Sequence, residues 1–311
     1  MSARCTVATL VCAAFVFLSA PAAHADDDLS ALGVRVERRP GALPTSVMIS
    51  PPVERPADAL PDGRPALGRR DIARAWLTGP TTRYGHGVLG DAVEAGGLRA
   101  VMADGRVLDH RLGPDSVFED LRPRLADLDG DGRDEILVVR SYLSAGAALA
   151  VFSVRDGTLV PRAETAPIGS PNRWLNPVGV GDFDGDGAVE AAYVETPHIG
   201  GILRVVALRG DRLVEEATLH GVSNHAMGSR ALGLSAVLDL DGDGSDDILL
   251  PTAGRRGLRV ISLAGGAARD LAAIRHGAPI VTDFAVQDRN GNGRPDIAYG
   301  LADGTHIVLW R

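Results

Sequence analysis

In the second half of the chain, apolar residues come in short runs bounded by glycine, asparagine and aspartate, with no helical period. The clearest runs are ILVV at 136–139, AAYV at 191–194, ILL at 248–250 and IAY at 297–299. Around the second of these, residues 177–183, 191–195, 202–208 and 213–220 read as four strands of one unit, with turns at 197–201 and 210–211. Valine-rich runs punctuated this way predict an all-β array.

Ahead of each apolar run stands nearly the same nine-residue phrase: DLDGDGRDE from Asp127, DFDGDGAVE from Asp182, DLDGDGSDD from Asp239 and DRNGNGRPD from Asp288. The phrases start 55, 57 and 49 residues apart, so they mark a repeat. Four strands per roughly 50-residue unit is the pattern of a β-propeller blade.

Each phrase places oxygen-bearing side chains at positions 1, 3, 5 and 9, and position 7 can offer its carbonyl. A hard cation such as Ca²⁺ takes 6–8 oxygen ligands from a tightly curled loop, and glycines at positions 4 and 6 permit the curl. The candidate ligands are Asp127, Asp129, Asp131, Arg133 (carbonyl) and Glu135; Asp182, Asp184, Asp186, Ala188 (carbonyl) and Glu190; Asp239, Asp241, Asp243, Ser245 (carbonyl) and Asp247; and Asp288, Asn290, Asn292, Arg294 (carbonyl) and Asp296. An EF-hand is excluded, because its position-12 glutamate is replaced by Val138, Tyr193, Leu250 and Tyr299 and the flanks are strand-like rather than helical. Two aspartates of the fourth phrase are asparagine, so three strong calcium sites and one weak site are expected.

The phrases and their spacing resemble the FG-GAP/VCBS repeats of integrin-type propellers and of many exported bacterial proteins. The resemblance covers about residues 120–311. It implies a calcium-bound propeller without implying a ligand.

On that template, metal-loop blades start near 121, 176, 233 and 282. A degenerate blade occupies about 84–120, and the strand at 72–77 closes the last blade, giving five. Six follows if the proline-rich segment adds strands, for instance at 46–49. Residues 1–25 read as a signal peptide with an Ala23-His24-Ala25 cleavage site, so the expected location is periplasmic or secreted. Cys5 and Cys12, the chain's two cysteines, leave with that peptide, and metal rather than disulfides would staple the fold. Residues 26–70 are rich in proline and read as a disordered linker.

All 32 basic residues are arginine, which points to a GC-rich bacterial genome. A net charge of −8 together with export argues against nucleic acid. Propeller topology would put the metal loops on one face and the arginine- and histidine-bearing loops, which also hold Glu119 and Asp120, on the other. There Arg173, Trp174, Asn176, Asn224, His225 and Arg230 are candidates for binding an acidic ligand, a glycan or a protein, by guanidinium forks. The Arg-Gly-Asp at 209–211 falls where other units place hairpin turns and reads as a turn. No catalytic motif stands out. The expectation is a non-enzymatic exported binding module. The alternatives are a polysaccharide-active enzyme using His225 and Arg230, or a lectin, which the 4% aromatic content disfavours.

Overall fold

The computed structural model describes residues 29–41 and 53–311. The signal-peptide reading, both cysteines and the strand at 46–49 lie outside these residues.

The described residues are all-β apart from one 3-10 turn at Ser30–Leu32. Strand β1 (Arg35–Arg39) comes first and stands apart in sequence. A first meander follows: β2 (Ala66–Leu67), β3 (Ile72–Thr81), β4 (Glu94–Met102) and β5 (Val107–Arg111). Short β6 (Ser116–Phe118) leads to a second meander of β7 (Arg124–Ala126), β8 (Glu135–Tyr142), β9 (Gly146–Arg155) and β10 (Thr158–Glu164). The third comprises β11 (Leu175–Gly181), β12 (Glu190–Glu195), β13 (Ile202–Arg209) and β14 (Arg212–His220). The fourth comprises β15 (Ala236–Leu238), β16 (Asp247–Pro251), β17 (Gly257–Ser262) and β18 (Arg269–Arg275). Last come β19 (Ala285–Gln287), β20 (Asp296–Gly300) and β21 (His306–Trp310). All pairings are antiparallel, and β6 joins the first two meanders into one nine-stranded sheet by pairing with β4 and β8.

The meanders run from a first strand, short in all but the third, through apolar middle strands to a polar last strand. In β9 the eight successive residues Gly146–Ser153 are buried, and all five of β16 are, as expected for strands covered on both faces. β14 alternates exposed and half-buried residues instead, as an outer strand should. Three apolar clusters join the sheets in chain order. One holds Leu98, Phe118, Val138, Phe152 and Tyr193, another Phe183, Val194, Leu203, Ile248 and Ile261, and the last Ile274, Tyr299, Ile307 and Leu309 with Leu29 and Val34.

Two expectations fail here. The strand that completes the last sheet is β1, paired with β21 from Arg35↔Trp310 to Arg39↔His306. The segment at 72–77 is instead part of β3, paired with β2 and β4. Burial explains the exchange. Ile72, Ala75, Trp76 and Leu77 are all buried and need cover on both faces, whereas the polar RVERR of β1 suits an outer edge. The first meander accordingly begins at Ala66 rather than near 84.

The described parts of the proline-rich stretch are also ordered. Leu29, Val34 and Leu60 are 2% exposed or less, and the amides of Leu60 and Arg64 donate to the carbonyls of Leu77 (3.0 Å) and Leu121 (2.8 Å). The prolines withhold their own donors, but the residues between them supply enough to dock the segment.

Candidate metal loops and the opposite end of the sheets

The acidic phrases connect the first strand to the second in each of the last four meanders: β7 to β8, β11 to β12, β15 to β16 and β19 to β20. They share one internal wiring. In the second loop Asp182 accepts the amides of Gly185 (2.8 Å) and Gly187 (2.9 Å), and Asp184 accepts that of Asp186 (3.1 Å). Asp186 accepts the amide of Ala188 (2.7 Å), and Glu190 reaches back to that of Phe183 (3.1 Å). The third loop repeats this through Asp239, Asp241, Asp243 and Asp247. Such side-chain-to-amide bonds hold a curled loop without a ladder partner. The glycines at positions 4 and 6 carry it through left-handed backbone, Gly185 at φ 81° and Gly187 at φ 87°.

The wiring converges three carboxylates per loop. Oxygens of Asp127, Asp129 and Glu135 lie within 4.8 Å of one another, as do those of Asp182, Asp184 and Glu190, and of Asp239, Asp241 and Asp247. The position-5 residues Asp131, Asp186 and Asp243 fall outside these groups. Burial pushes the Glu190 carboxyl up to about 7 and that of Asp247 up to about 6, and it raises Glu135 as well. Two buried oxygens, Asp127 Oδ1 and Glu190 Oε1, have no hydrogen-bond partner. Crowded carboxylates, raised proton affinity and an orphaned buried oxygen fit a hard cation in the first and second loops, and the third shares their geometry.

The loops differ in how their charge is met. In the first, Arg162 Nη2 sits 2.7 Å from Asp129 and Nη1 2.9 Å from Glu135, while Arg70 Nε lies 3.7 Å from Asp127. In the fourth, both Asp296 oxygens are engaged. Oδ2 accepts the Arg289 amide (2.9 Å) and Oδ1 the Arg311 amide (3.0 Å). Asn292 Nδ2 donates to the Arg311 carbonyl (2.6 Å). Its backbone curls like the others, with Asp288 accepting the amides of Gly291 and Gly293, but asparagine amides donate where a ligand oxygen is wanted.

Antiparallel alternation puts the β3–β4, β12–β13 and β14–β15 connections at the other end of the sheets. The six candidate ligand residues lie there without forming an open pocket. Trp174 is 2% exposed, and Asn176, Asn224 and His225 are wholly buried. Asn176 Nδ2 donates to the Asn224 carbonyl (3.2 Å) and Asn224 Nδ2 returns the bond to the Asn176 carbonyl (3.1 Å), so this pair pins two loops together. Arg230 is tied to Asp62 (3.0 Å) and Asp91 (2.7 Å), and Arg173 is exposed apart from them. The sequence offered Arg230 as a ligand candidate, and its acidic partners come from segments 139 and 168 residues away.

An acid–imidazole cluster occupies this end instead. Buried Glu119 accepts from His86 Nδ1 (2.7 Å) and from the Ser141 hydroxyl, and its backbone carbonyl accepts from Trp174 Nε1 (2.9 Å). His225 Nε2 donates to the Ser229 carbonyl (2.8 Å), which leaves Nδ1 to accept from His198 Nε2 (2.8 Å). Burial holds both of these imidazoles near a pKa of about 4, hence neutral. Glu94 is fully enclosed with neither oxygen partnered, and burial beside Glu119 drives its pKa to about 9. The sequence placed His86 and Glu119 in loops of this end, but nothing in it signals their pairing or the enclosure of Glu94.

Residues 127–193 match the FG-GAP-like repeat family, so the chain carries an FG-GAP-like repeat that spans its first two acidic loops. No curated protein matches the chain. Among solved structures, it is similar to the exotype rhamnogalacturonan lyase YesX (17% identity, 80% of this chain and 48% of that one, TM-score 0.47). It is also similar to the rhamnogalacturonan lyase YesW (15% identity, 82% and 52%, TM-score 0.48). A third is a Bacillus licheniformis rhamnogalacturonan lyase (16% identity, 80% and 50%, TM-score 0.48). The chain spans about half the length of these enzymes. Among the described residues, no helix is long and apolar enough to cross a membrane.

Proposed function

We propose that this protein is an exported, calcium-stabilised β-propeller of five blades that serves as a binding module. Five consecutive four-stranded meanders, the last completed by β1, support the blade count. The observation that carries the calcium reading is the convergence of three carboxylates in each of three equivalent loops, inside a chain with an FG-GAP-like repeat. Asp127, Asp129 and Glu135 and their counterparts would hold the ions. The ion supplies charge neutralisation at one end of the sheets, which the carboxylates otherwise leave repelling one another.

An ion that binds only the folded state stabilises it by about 3–4 kcal/mol per site at 100 to 1,000 times its dissociation constant. Chelation should therefore lower the melting temperature by more than roughly 10 °C. A melting curve identical with calcium and with chelator would end the calcium reading.

At the opposite end the carboxyl and imidazole groups are largely enclosed. A ligand there, acidic as expected from sequence or a neutral or basic donor, would meet the exposed Arg173 and the half-exposed Arg230 with its Asp62 and Asp91 partners. A panel of neutral, basic and acidic glycans, measured for binding to the calcium-loaded protein, separates these. One observation favours a second reading, an enzyme. Glu94 interacts with Glu119, whose carboxyl meets His86 at 2.7 Å, so two buried carboxyls and an imidazole are grouped, the residue types that acid–base catalysis uses. Turnover on the same panel, lost in His86→Ala with binding retained, would establish it.

A further inference from the structure

Three outer strands carry a β-bulge at the same structural address. Position 10 of each loop, Ile136, Ala191 or Ile248, pairs across to Phe152, Val206 or Ile261 on the third strand. These in turn pair with Pro161, Glu215 and Asp270 on the outer strand. Immediately beyond, one extra residue interrupts the outer strand: Arg162 between Pro161 and Ala163, Glu216 between Glu215 and Ala217, and Leu271 between Asp270 and Ala272. A bulge re-aims the side chain of its extra residue.

In the second meander that side chain reaches the first acidic loop. Arg162 is 10% exposed and grips Asp129 and Glu135 at 2.7 and 2.9 Å, with its Nη2 also donating to the Gly210 carbonyl of the neighbouring sheet at 3.1 Å. A cavity of about 160 Å³ opens beside it, lined by Asp129, Asp131, Glu135 and Arg162 among others. In the third meander the equivalent residue adds negative charge. Glu216 bears on Glu190 electrostatically and is partly offset by Arg209 Nη2 at 2.9 Å. In the fourth meander, Leu271 adds none.

We infer that the bulge residue sets the calcium affinity of its loop by charge. The inference rests on the calcium reading above. Arg162 is the first loop's built-in counter-cation, and its guanidinium holds two of the oxygens an ion would need. Calcium enters that loop only by displacing it, so the first loop binds more weakly than its sequence, identical in ligand charge to the second, implies. Glu216 gives the second loop a nearby anion, shared with Arg209, which also lies 3.8 Å from Asp186. Among the described residues no guanidinium holds that loop's converging carboxylates, so it binds more tightly than the first. Bound calcium in the first loop also releases Arg162 toward Asp211 of the next sheet, which it already approaches at 3.4 Å.

The test is calorimetric titration with Ca²⁺ of the full chain, in backgrounds that leave one loop intact: Asp184→Ala with Asp241→Ala for the first loop, and Asp129→Ala with Asp241→Ala for the second. Arg162→Gln should tighten the first loop on the order of tenfold, the factor carried by one charge-assisted hydrogen bond, and lower the melting temperature in chelator. Glu216→Gln should weaken the second loop several-fold. Arg162→Lys keeps the charge and loses the fork, so it should tighten the first loop by less; this variant decides the matter if the glutamine variant fails to fold. If the wild-type loops bind no calcium, the calcium reading itself is wrong. If they bind but Arg162→Gln or Arg162→Lys leaves the first loop unchanged or weaker, the bulge residue is not the determinant and this inference alone is overturned.

Discussion

Glu94 enters the sheet at the first position of β4 with its carboxyl group sealed from solvent and no hydrogen bond to either oxygen. A carboxylate there lacks both water and a cation, so the folded protein keeps the proton to about pH 9. The sign of the linkage follows. The unfolded chain releases this proton near its ordinary value of about 4.5, the folded one does not, and stability is lost as pH rises between the two. At pH 7 the cost is at most roughly 3 kcal/mol. Glu94→Gln removes the titration while keeping the shape, so it should raise the melting temperature at pH 8 and converge on the wild type as pH falls toward 4.5. Melting measured from pH 5 to 9 checks this, and a difference that stays constant with pH would mean Glu94 ionises freely. A residue that costs stability and satisfies no packing need is the sort found where a fold keeps chemistry.

The acidic loops make the case at the level of elements. Asp184→Ala and Asp241→Ala each remove one of three converging carboxylates, and should abolish most of one site's calcium-dependent stabilisation, about 3–4 kcal/mol in excess calcium. Asn290→Ala should change it little, because Asp296 is already bonded to Arg289 and Arg311. Equal losses across the three, read as melting shifts between calcium and chelator, would show that carboxylate number is not what matters. These loops were legible in the sequence because their chemistry is local: ligand types, glycines and spacing fit within nine residues, and the left-handed glycines follow from them. The first strands of the last four meanders start at Arg124, Leu175, Ala236 and Ala285, near the expected 121, 176, 233 and 282, for the same reason. What escaped is whatever depends on distant partners. Arg230 stands in the sequence as a candidate for an acidic ligand, and Asp62 and Asp91 hold it. Arg162 carries no signal in the sequence, although a bulge turns it into the first loop. RVERR read as linker, because a strand polar on both faces has no period to betray it.

That overlooked strand governs the whole molecule. β1 covers the outer edge of β21, Trp310 Nε1 donates to Glu37 (2.6 Å), and Leu29 and Val34 fill the last apolar cluster. Removing residues 1–41 would expose those two pockets, at about 1.5–3 kcal/mol for each aliphatic side chain, and leave β21 as an open edge. The truncated protein should melt lower by that scale and self-associate in sedimentation; a monomer with unchanged melting would show that β1 is dispensable. The pairing also sets a timetable. A ribosome releases β1 before any of the meanders, yet its partner is the last of the described strands, some 270 residues later. Every other hairpin can zip as it emerges, while this one must wait for β21. The first strand therefore has no partner until β21 is made, and this pairing, the longest-range one among the described strands, is expected to form late in folding.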